Sequence, residues 1–497
     1  MDTPDISLRS MNVPADPLVA STTAGVGARN RLVINLLLAA TFVVMLNETL
    51  MSVAIPRLMH DLHVTAGAVQ WVTTAFLLTT SVVIPTTGFM LQRFNTRPVF
   101  VWAMSLFALG TLIAAFAPNL QVLVVGRIGQ ACGTAIMMPL LMATAMTLAP
   151  AQNRGQTMGF ITTVISVAPA IGPAISGLIL NYLNWRWMFL LVLPVALGAL
   201  ALGARGIPNV TTPHRARIDL LSVVVSGVAF GGIVYGLGNI GVAAAPGTIP
   251  AGVWSAVGIV FLIVFVLRQL ALQKSGYPLL DLRTFASRNF TVSVLLLASL
   301  MMALFGTVIL LPIYLQNVLG LSTLQTGLLL LPGGLLMGLL GPYVGRLYDK
   351  HGPSLLLVPA VIVVSGVLWA MTLLSPGTRI GYILAGHVVM SVGFAFLFSP
   401  LFTVSLSSVK ASLYSHGSAV IGTLQQAAGA AGVALFVGVM AARTARLAER
   451  GMTPVDALSG GVRGGFLCGA IISLFAVACV IFVRRPDMVG RGESQGA

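Results

Sequence analysis

Apolar runs about 20 residues long recur through this chain, and they constrain its fold more than any other feature, because one such run crosses the hydrocarbon of a bilayer as an α-helix. Counting runs of about 18 to 25 residues bounded by charge or by Pro/Gly punctuation, fourteen helices are expected, starting near residues 32, 68, 98, 121, 156, 187, 218, 251, 291, 324, 354, 380, 415 and 463. The runs do not alternate with period two, so backbone groups in lipid are satisfied inside helices and not in a barrel. Charge is correspondingly scarce. Only 8% of the 497 residues are charged and 57% are hydrophobic, against about 25% charged in soluble domains. That excludes an ordinary soluble enzyme, a disordered protein and a nucleic-acid reader.

The net charge of +15 reads as topology. An even helix count puts both termini on one side, and with that side cytoplasmic, 19 of the 27 basic residues fall in inside segments and seven outside. Arg127 alone falls within a helix. Residues 1–31 are expected to form a disordered cytoplasmic tail, without the cleavage site of a signal peptide. Cys132, Cys468 and Cys479 all lie in apolar runs and indicate no disulfide framework.

Two copies of one pattern are visible. Pro85-Thr-Thr-Gly88 with Arg93 after the second run matches Pro342-Tyr-Val-Gly345 followed by Arg346, Asp349 and Lys350 after the tenth. Gly126-Arg127 with Gly133 and Ala135 in the fourth run matches Gly386-His387 with Gly393 and Ala395 in the twelfth, each followed by Pro-Leu. Offsets of 257 and 260 make helices 1–6 and 9–14 parallel repeats, with helices 7 and 8 inserted between them. The expected fold is therefore all-α and integral to the membrane, arranged 6+2+6. Its parts are a tail at 1–31, a six-helix bundle at 32–206, an insert with linkers at 207–275, a second bundle at 276–484 and a tail at 485–497.

No Walker A sequence, metal-ligand spacing or nucleophile motif occurs, so no cofactor is expected. Ionisable groups at membrane depth remain, each costing several kcal/mol to bury and so each a candidate. Glu48 shares a polar stripe with Thr41 and Ser52 and lies about 25 Å from Arg31 along its helix. Arg127 lies about 13 Å in from the outer end of its own helix, with Gln130 and Thr134 on its face. The two fall at similar depth. A carboxylate that alternates between a guanidinium and a proton is a minimal proton-coupling device; a static ion pair joining two helices is the other reading. His387 holds Arg127's place in the second repeat, as a second coupling group or a packing histidine. Met45, Ser52, Gln130, Thr134, Met138, Ser391, Phe394, Phe398, Gln425 and Gln426 are candidates for lining a substrate cavity, although the small residues around Gln426 equally suit tight helix packing. Gly88, Arg93, Arg97, Gly345, Arg346, Asp349 and Lys350 are candidate gating residues at helix ends, with plain topology determinants the other reading of the charged ones. Asp219 reads as an interfacial helix cap.

These residues resemble the major facilitator superfamily, in its 14-helix drug:proton antiporter branch of EmrB/QacA type, over roughly 30 to 485. The loop after helix 2 is similar to the superfamily's Gly-x-x-x-Asp-Arg-x-Gly-Arg signature, with Gln92 and Asn95 in place of its Asp and Gly. Arg127-x-x-Gln130 matches the helix-4 motif. Pro169, Gly172, Pro173 and Gly177 match the helix-5 antiporter motif, which implies export. Trp185-Arg186-Trp187-Met188-Phe189 resembles a segment typical of the branch. In helix 1, Asn47 takes the place of the branch's acid and Glu48 follows it, a variant similar to lincosamide-resistance exporters; proton coupling is then expected of Glu48, Asn47, Arg127 and His387.

What the resemblance implies is a multidrug efflux antiporter of the bacterial inner membrane, both termini cytoplasmic, exporting amphipathic small molecules by alternating access on the proton gradient. It is not expected to be an enzyme or to bind nucleic acid. A lipid or lipid-linked precursor flippase and a proton-coupled importer are the alternatives. Partners are the substrate, protons and lipid, and nothing in the sequence indicates an adaptor protein.

Overall fold

The computed structural model describes residues 17–64, 66–69, 71–210, 219–238, 249–275 and 278–485. Fourteen helices among them are long and apolar enough to cross a membrane. The six of the first half are α1 (Pro17–Asp61), α2 (Trp71–Arg93), α3 (Thr96–Ala115), α4 (Leu120–Leu148), α5 (Arg154–Tyr182) and α6 (Arg186–Gly206). The inserted pair is α7 (Leu220–Gly238) and α8 (Ala251–Ser275). The second half holds α9 (Arg288–Asn317), α10 (Thr323–His351), α11 (Ser354–Met371), α12 (Ile380–Ser407), α13 (Tyr414–Glu449) and α14 (Pro454–Val480). The chain is thus an all-helical, multi-pass membrane protein of 6+2+6 order.

Side-chain caps start several of these helices. The Asn119 carboxamide accepts from Val122 N before α4, Ser322 and Gln325 form a reciprocal box before α10, and Thr453 caps α14 with Pro454 in its first turn. The repeat extends to the turns, since a 3-10 turn precedes both α5 (Ala151–Asn153) and α13 (Ala411–Leu413). One expectation needs correcting. The tail was expected to run unstructured to residue 31, yet α1 begins at Pro17. Extending a helix that already exists carries no nucleation cost, and no proline follows Pro17 until Pro56. Residues 1–16 and 486–497 lie outside the described residues.

Each half packs as its own bundle, with α4 in contact with α1, α2 and α3 in the first and α12 with α9, α10 and α11 in the second. The halves meet along two seams, α5 on α10 and α2 on α13. Glycines set the first. A Cβ at Gly155 or Gly345 would strike the other's carbonyl oxygen, and Gly159 and Gly341 stand in the same relation. Farther along, Thr163 Oγ1 donates to Gly338 O at 2.7 Å and Ala170 packs at Gly334. Beyond that level the helices part, and among the described residues neither Gly177 nor Gly327 has an atom within 4 Å of a Cβ built on it. The α5–α10 seam is closed at the end carrying Arg93, Gly155 and Asp349 (the basic end) and parts toward the other (the open side).

The inserted helices form a hairpin whose closest approach is Gly232 to Gly258 and Gly236 to Ser255. Helix α7 lies on α2, with Gly227 against Val82, and also touches α13, so the pair covers the α2–α13 seam. Asp219 caps α7 as expected, accepting from Ser222 N, and is also held by Arg268 of α8 at 2.7 and 2.9 Å. The Arg268 hydrogen bonds bring its carboxyl down to about 2, so it stays ionised.

Candidate functional site

Helix α1 decides where its two polar neighbours point. Val33, Leu37, Ala40, Val44, Asn47, Met51, Ala54 and Leu58 repeat at spacings of four and three and are all buried, so Asn47 belongs to the stripe facing the bundle interior. Glu48, about 100° round the helix, is half-buried. The next residue, Thr49, fills the place a side chain at Gly172 would occupy on α5. Gly172 lies just past Ala170, where the α5–α10 seam ends, so Glu48 lies at the level where the open side begins. Glu48 thus occupies a different face from the position the branch's acid would take.

Arg127 is fully buried and held by its own bundle. Its Nη1 donates to Gln130 Oε1 at 3.0 Å, its Nε to Val72 O at 3.4 Å, and its guanidinium lies 4.2 Å from the centroid of Phe76. Gln130 Nε2 in turn donates to Thr111 Oγ1 at 2.8 Å. Nη2 is buried without a hydrogen-bond partner among the described residues. Glu48 and Arg127 interact through their charges, yet no carboxylate oxygen of Glu48 lies within 4.0 Å of Arg127 among the described residues. The arrangement is a buried cation with one free donor and an acid near it, not a closed ion pair.

His387 of α12 lies at the same level in the other half. A Cβ on Gly333 would come within 2.5 Å of its Nε2 and 2.7 Å of Ser391 Oγ, and Gly333 adjoins the Gly334 contact that ends the seam. Its Nε2 lies 3.1 Å from Leu330 O, which fixes the proton on Nε2, and Nδ1 is buried without a partner among the described residues. Glu48 and His387 therefore flank the top of the closed seam from opposite bundles.

The expected cavity residues divide. Gln130, Thr134 and Met138 are buried in α4, with the Gln130 amide engaged as above and Thr134 Oγ1 donating to Gln130 O. Phe394 and Phe398 are buried with Phe402 in a stacked ladder at 5.5 and 6.1 Å, and Ser391 is buried beside Gly333. Met45, Gln425 and Gln426 are half-buried, and the Gln425 Nε2 is a buried donor without a partner among the described residues. The side chains of Ser52 and Pro173 lie outside the described residues, while Pro169 and Gly177 are exposed. A groove of about 330 Å³ between α11 and α12, lined by Leu355, Pro359, Val363, Val389, Val392 and Phe396, lies elsewhere. It is apolar and opens outward, as lipid-facing surface does.

At the basic end, the Asp349 carboxylate accepts from Gly155 N at 2.7 Å and Gln156 N at 2.9 Å, capping α5 from the other bundle. Its repeat counterpart Gln92 donates Nε2 to Ser412 O at 3.2 Å. Gly345 and Gly88 sit inside the two seams. Arg93, Arg97, Arg346 and Lys350 are exposed and form no ion pair among the described residues. Trp185 is buried with Arg186 stacked 4.3 Å above it and bonded to Ala117 O, which pins the α5–α6 corner.

The sequence profile of the Major Facilitator Superfamily matches residues 37–433. The chain belongs to that superfamily. Among its relatives, the lincomycin resistance protein LmrB of Bacillus subtilis is 37% identical over 478 residues, 94% of this chain and 99% of that protein. LmrB of Listeria monocytogenes is 38% identical over 90% of this chain and 95% of its own. The fold is shared with solved superfamily structures at 14% identity. The human organic anion transporter MFSD10 (TETRAN) gives a TM-score of 0.66 over 91% of this chain and 99% of that one. The proton:xylose symporter XylE gives 0.64 over 92% and 96%. This superfamily member is a transporter and not an enzyme.

Sequence reasoning missed two groups that join the halves of this transporter. Thr163, which bonds across the α5–α10 seam, is one of many threonines in apolar runs and carries no distinguishing signal. His416, buried in the α2–α13 seam, was signalled only by being a histidine beside a glycine at a helix start.

Proposed function

We propose that this chain exports amphipathic small molecules from a bacterial cell by alternating access, driven by inward proton flow, as a multidrug antiporter of the inner membrane with both termini cytoplasmic. The observation that carries the reading is the placement of Glu48, half-buried at the level where the open side begins, within electrostatic reach of an Arg127 whose Nη2 lacks a partner among the described residues. An acid so placed takes a proton from the open side and yields it when Arg127 draws near after the switch. In the orientation that puts most basic residues inside, the closed basic end is cytoplasmic and the molecule faces outward. The names of the lincomycin-resistance relatives support drug export. One proton crossing a potential of about 150 mV supplies about 3.4 kcal/mol, enough for a gradient of about 300-fold, so a single coupling carboxylate is sufficient.

The test is substrate-induced proton release from acidified inverted vesicles, with lincomycin as the first probe. Glu48→Gln is expected to abolish release while protein abundance in the membrane is unchanged. Undiminished release would remove Glu48 from the mechanism.

A further inference from the structure

The α2–α13 seam is built differently from its partner, and the difference involves the inserted helices. Position 92, which matches Asp349 in the repeat, is a glutamine that bonds one carbonyl. The buried polar group at this seam is instead His416, near the start of α13, whose Nδ1 lies 2.9 Å from a Cβ built on Gly88 of α2. That nitrogen accepts from Asp281 N at 3.3 Å, and so carries no proton of its own. Asp281 belongs to neither bundle's seam helix. It lies on the connector between α8 and α9, buried and paired with Arg283, whose Nε donates to its Oδ2 at 2.9 Å. Burial opposes the Asp281 charge, but the Arg283 side-chain and backbone donors outweigh it and hold the carboxyl below its usual range.

The connector is held to the insert in turn. Gln269 of α8, fully buried, accepts through Oε1 from Leu279 N at 2.8 Å and Leu280 N at 3.2 Å, and donates Nε2 to Ser222 Oγ of α7 at 2.8 Å. Ser222 donates to Asp219, which Arg268 grips. An unbroken run of hydrogen bonds therefore leads from both inserted helices, through the connector backbone, to the one imidazole wedged between α2 and α13. Buried polar chains of this kind are costly to open because each member left alone loses its partner in a dry setting.

We propose that the inserted helix pair is a clasp on the α2–α13 seam, and that His416 is the positioning residue through which it holds the basic end shut. The proposal rests on the alternating-access reading, since a clasp matters only to a seam that opens. When α2 moves away, Gly88 leaves the imidazole and the Asp281–His416 bond loses its backing. The insert thus sets how readily this gate opens, without touching cargo or the coupling acid.

The experiment uses the full chain in native membranes, with its three cysteines replaced by serine and one reporter, Ala419→Cys. Ala419 is fully buried, with its Cβ 3.5 Å from a Cβ built on Gly88, so a maleimide reaches that site when the seam parts. A control, Ser365→Cys, sits inside the second bundle, where Ser365 and Ser473 share a hydrogen bond at 2.7 Å. His416→Leu and Gln269→Leu are each expected to raise the alkylation rate at position 419 by about tenfold, with the control rate unchanged. His416→Asn, whose Oδ1 stands where Nδ1 stood, is expected to stay near the parent rate. Unchanged rates in both leucine variants, or an asparagine variant as fast as the leucine one, would overturn the clasp. If His416→Leu also speeds the control, Gln269→Leu decides alone: a faster reporter with a quiet control supports the clasp, and any other result overturns it. The assay needs neither drug nor proton gradient, so it reads the clasp even in a chain that exports nothing, and its failure leaves the export reading intact.

Discussion

The two six-helix halves descend from one pattern but hold their charges in opposite places. The first half carries charge at membrane depth, Arg127 with Glu48 near it, and a neutral group at its basic end, Gln92. The second carries a histidine on a backbone carbonyl at membrane depth, His387, and a carboxylate at its basic end, Asp349. In the proposed mechanism one half moves a charge and the other holds a gate. Symmetric halves would repeat each group, whereas here the acid and guanidinium at depth belong to the first half and the seam carboxylate to the second, so substitutions at matched positions should have unmatched effects.

The largest effect is expected where the comparison rests on backbone and not on side chains. Gly345→Val places a side chain on the Gly155 carbonyl, and no rotamer avoids it. The α5–α10 seam then cannot close, and export should fall to the level of a host lacking the protein while the variant remains in the membrane. Drug accumulation in an efflux-deficient host measures this; export above one-tenth of the parent rate would mean the seam closes by another route.

Next come the matched positions at depth. Arg127→Gln strands the groups around a buried cation, a loss on the order of 3 kcal/mol or about 100-fold in proton-coupled flux. His387→Gln replaces one neutral donor with another that still reaches Leu330 O, and flux should stay within about threefold of the parent. Equal losses at the two sites would end the assignment of coupling to the first half alone. At the basic end the order reverses. Asp349→Asn removes a charged acceptor from two backbone N–H groups at the start of α5, worth about 1.5 kcal/mol or about tenfold in favour of the open gate. Faster alkylation of a cysteine placed at the half-buried seam threonine, Thr163→Cys, reports it, and an unchanged rate would reassign the seal to the glycines.

Much of this asymmetry was legible before any coordinates. Apolar run length specified the helices, because lipid leaves backbone groups no other partner, and the Arg127/His387 and Gln92/Asp349 pairs stand out once the repeat is aligned. The faces were harder to read. Asn47 and Glu48 are neighbours in sequence, and only the packing of α1 shows that the first is buried in its bundle and the second half-buried. The basic cluster misled in a different way. Arg93, Arg97, Arg346 and Lys350 look like latches, but exposed charges gain little from pairing and none pairs among the described residues. What joins the halves there is a carboxylate on backbone N–H groups, which composition does not reveal. His416 and Gln269 escaped notice because their partners are main-chain atoms of the Leu279–Asp281 connector, a stretch whose sequence carries no motif.

The smallest effect is the most discriminating. Gln92→Asp gives the first half the acid that its repeat partner has, aimed at the start of α13, where a 3-10 turn parallels the one before α5. If the geometry of the two seams is equivalent, the carboxylate gains the α13 N-terminus and closure strengthens by at most about 1 kcal/mol, a slowing of alkylation at Ala419→Cys of up to about fivefold. Combined with Asp349→Asn, it should restore part of the lost closure, since the charge has only moved from one seam to the other. Gln92→Asp speeding alkylation would mean that the acid meets the Ser412 carbonyl and not the helix N–H groups. The insert would then stand where it does because this seam has no helix terminus positioned to receive an acid.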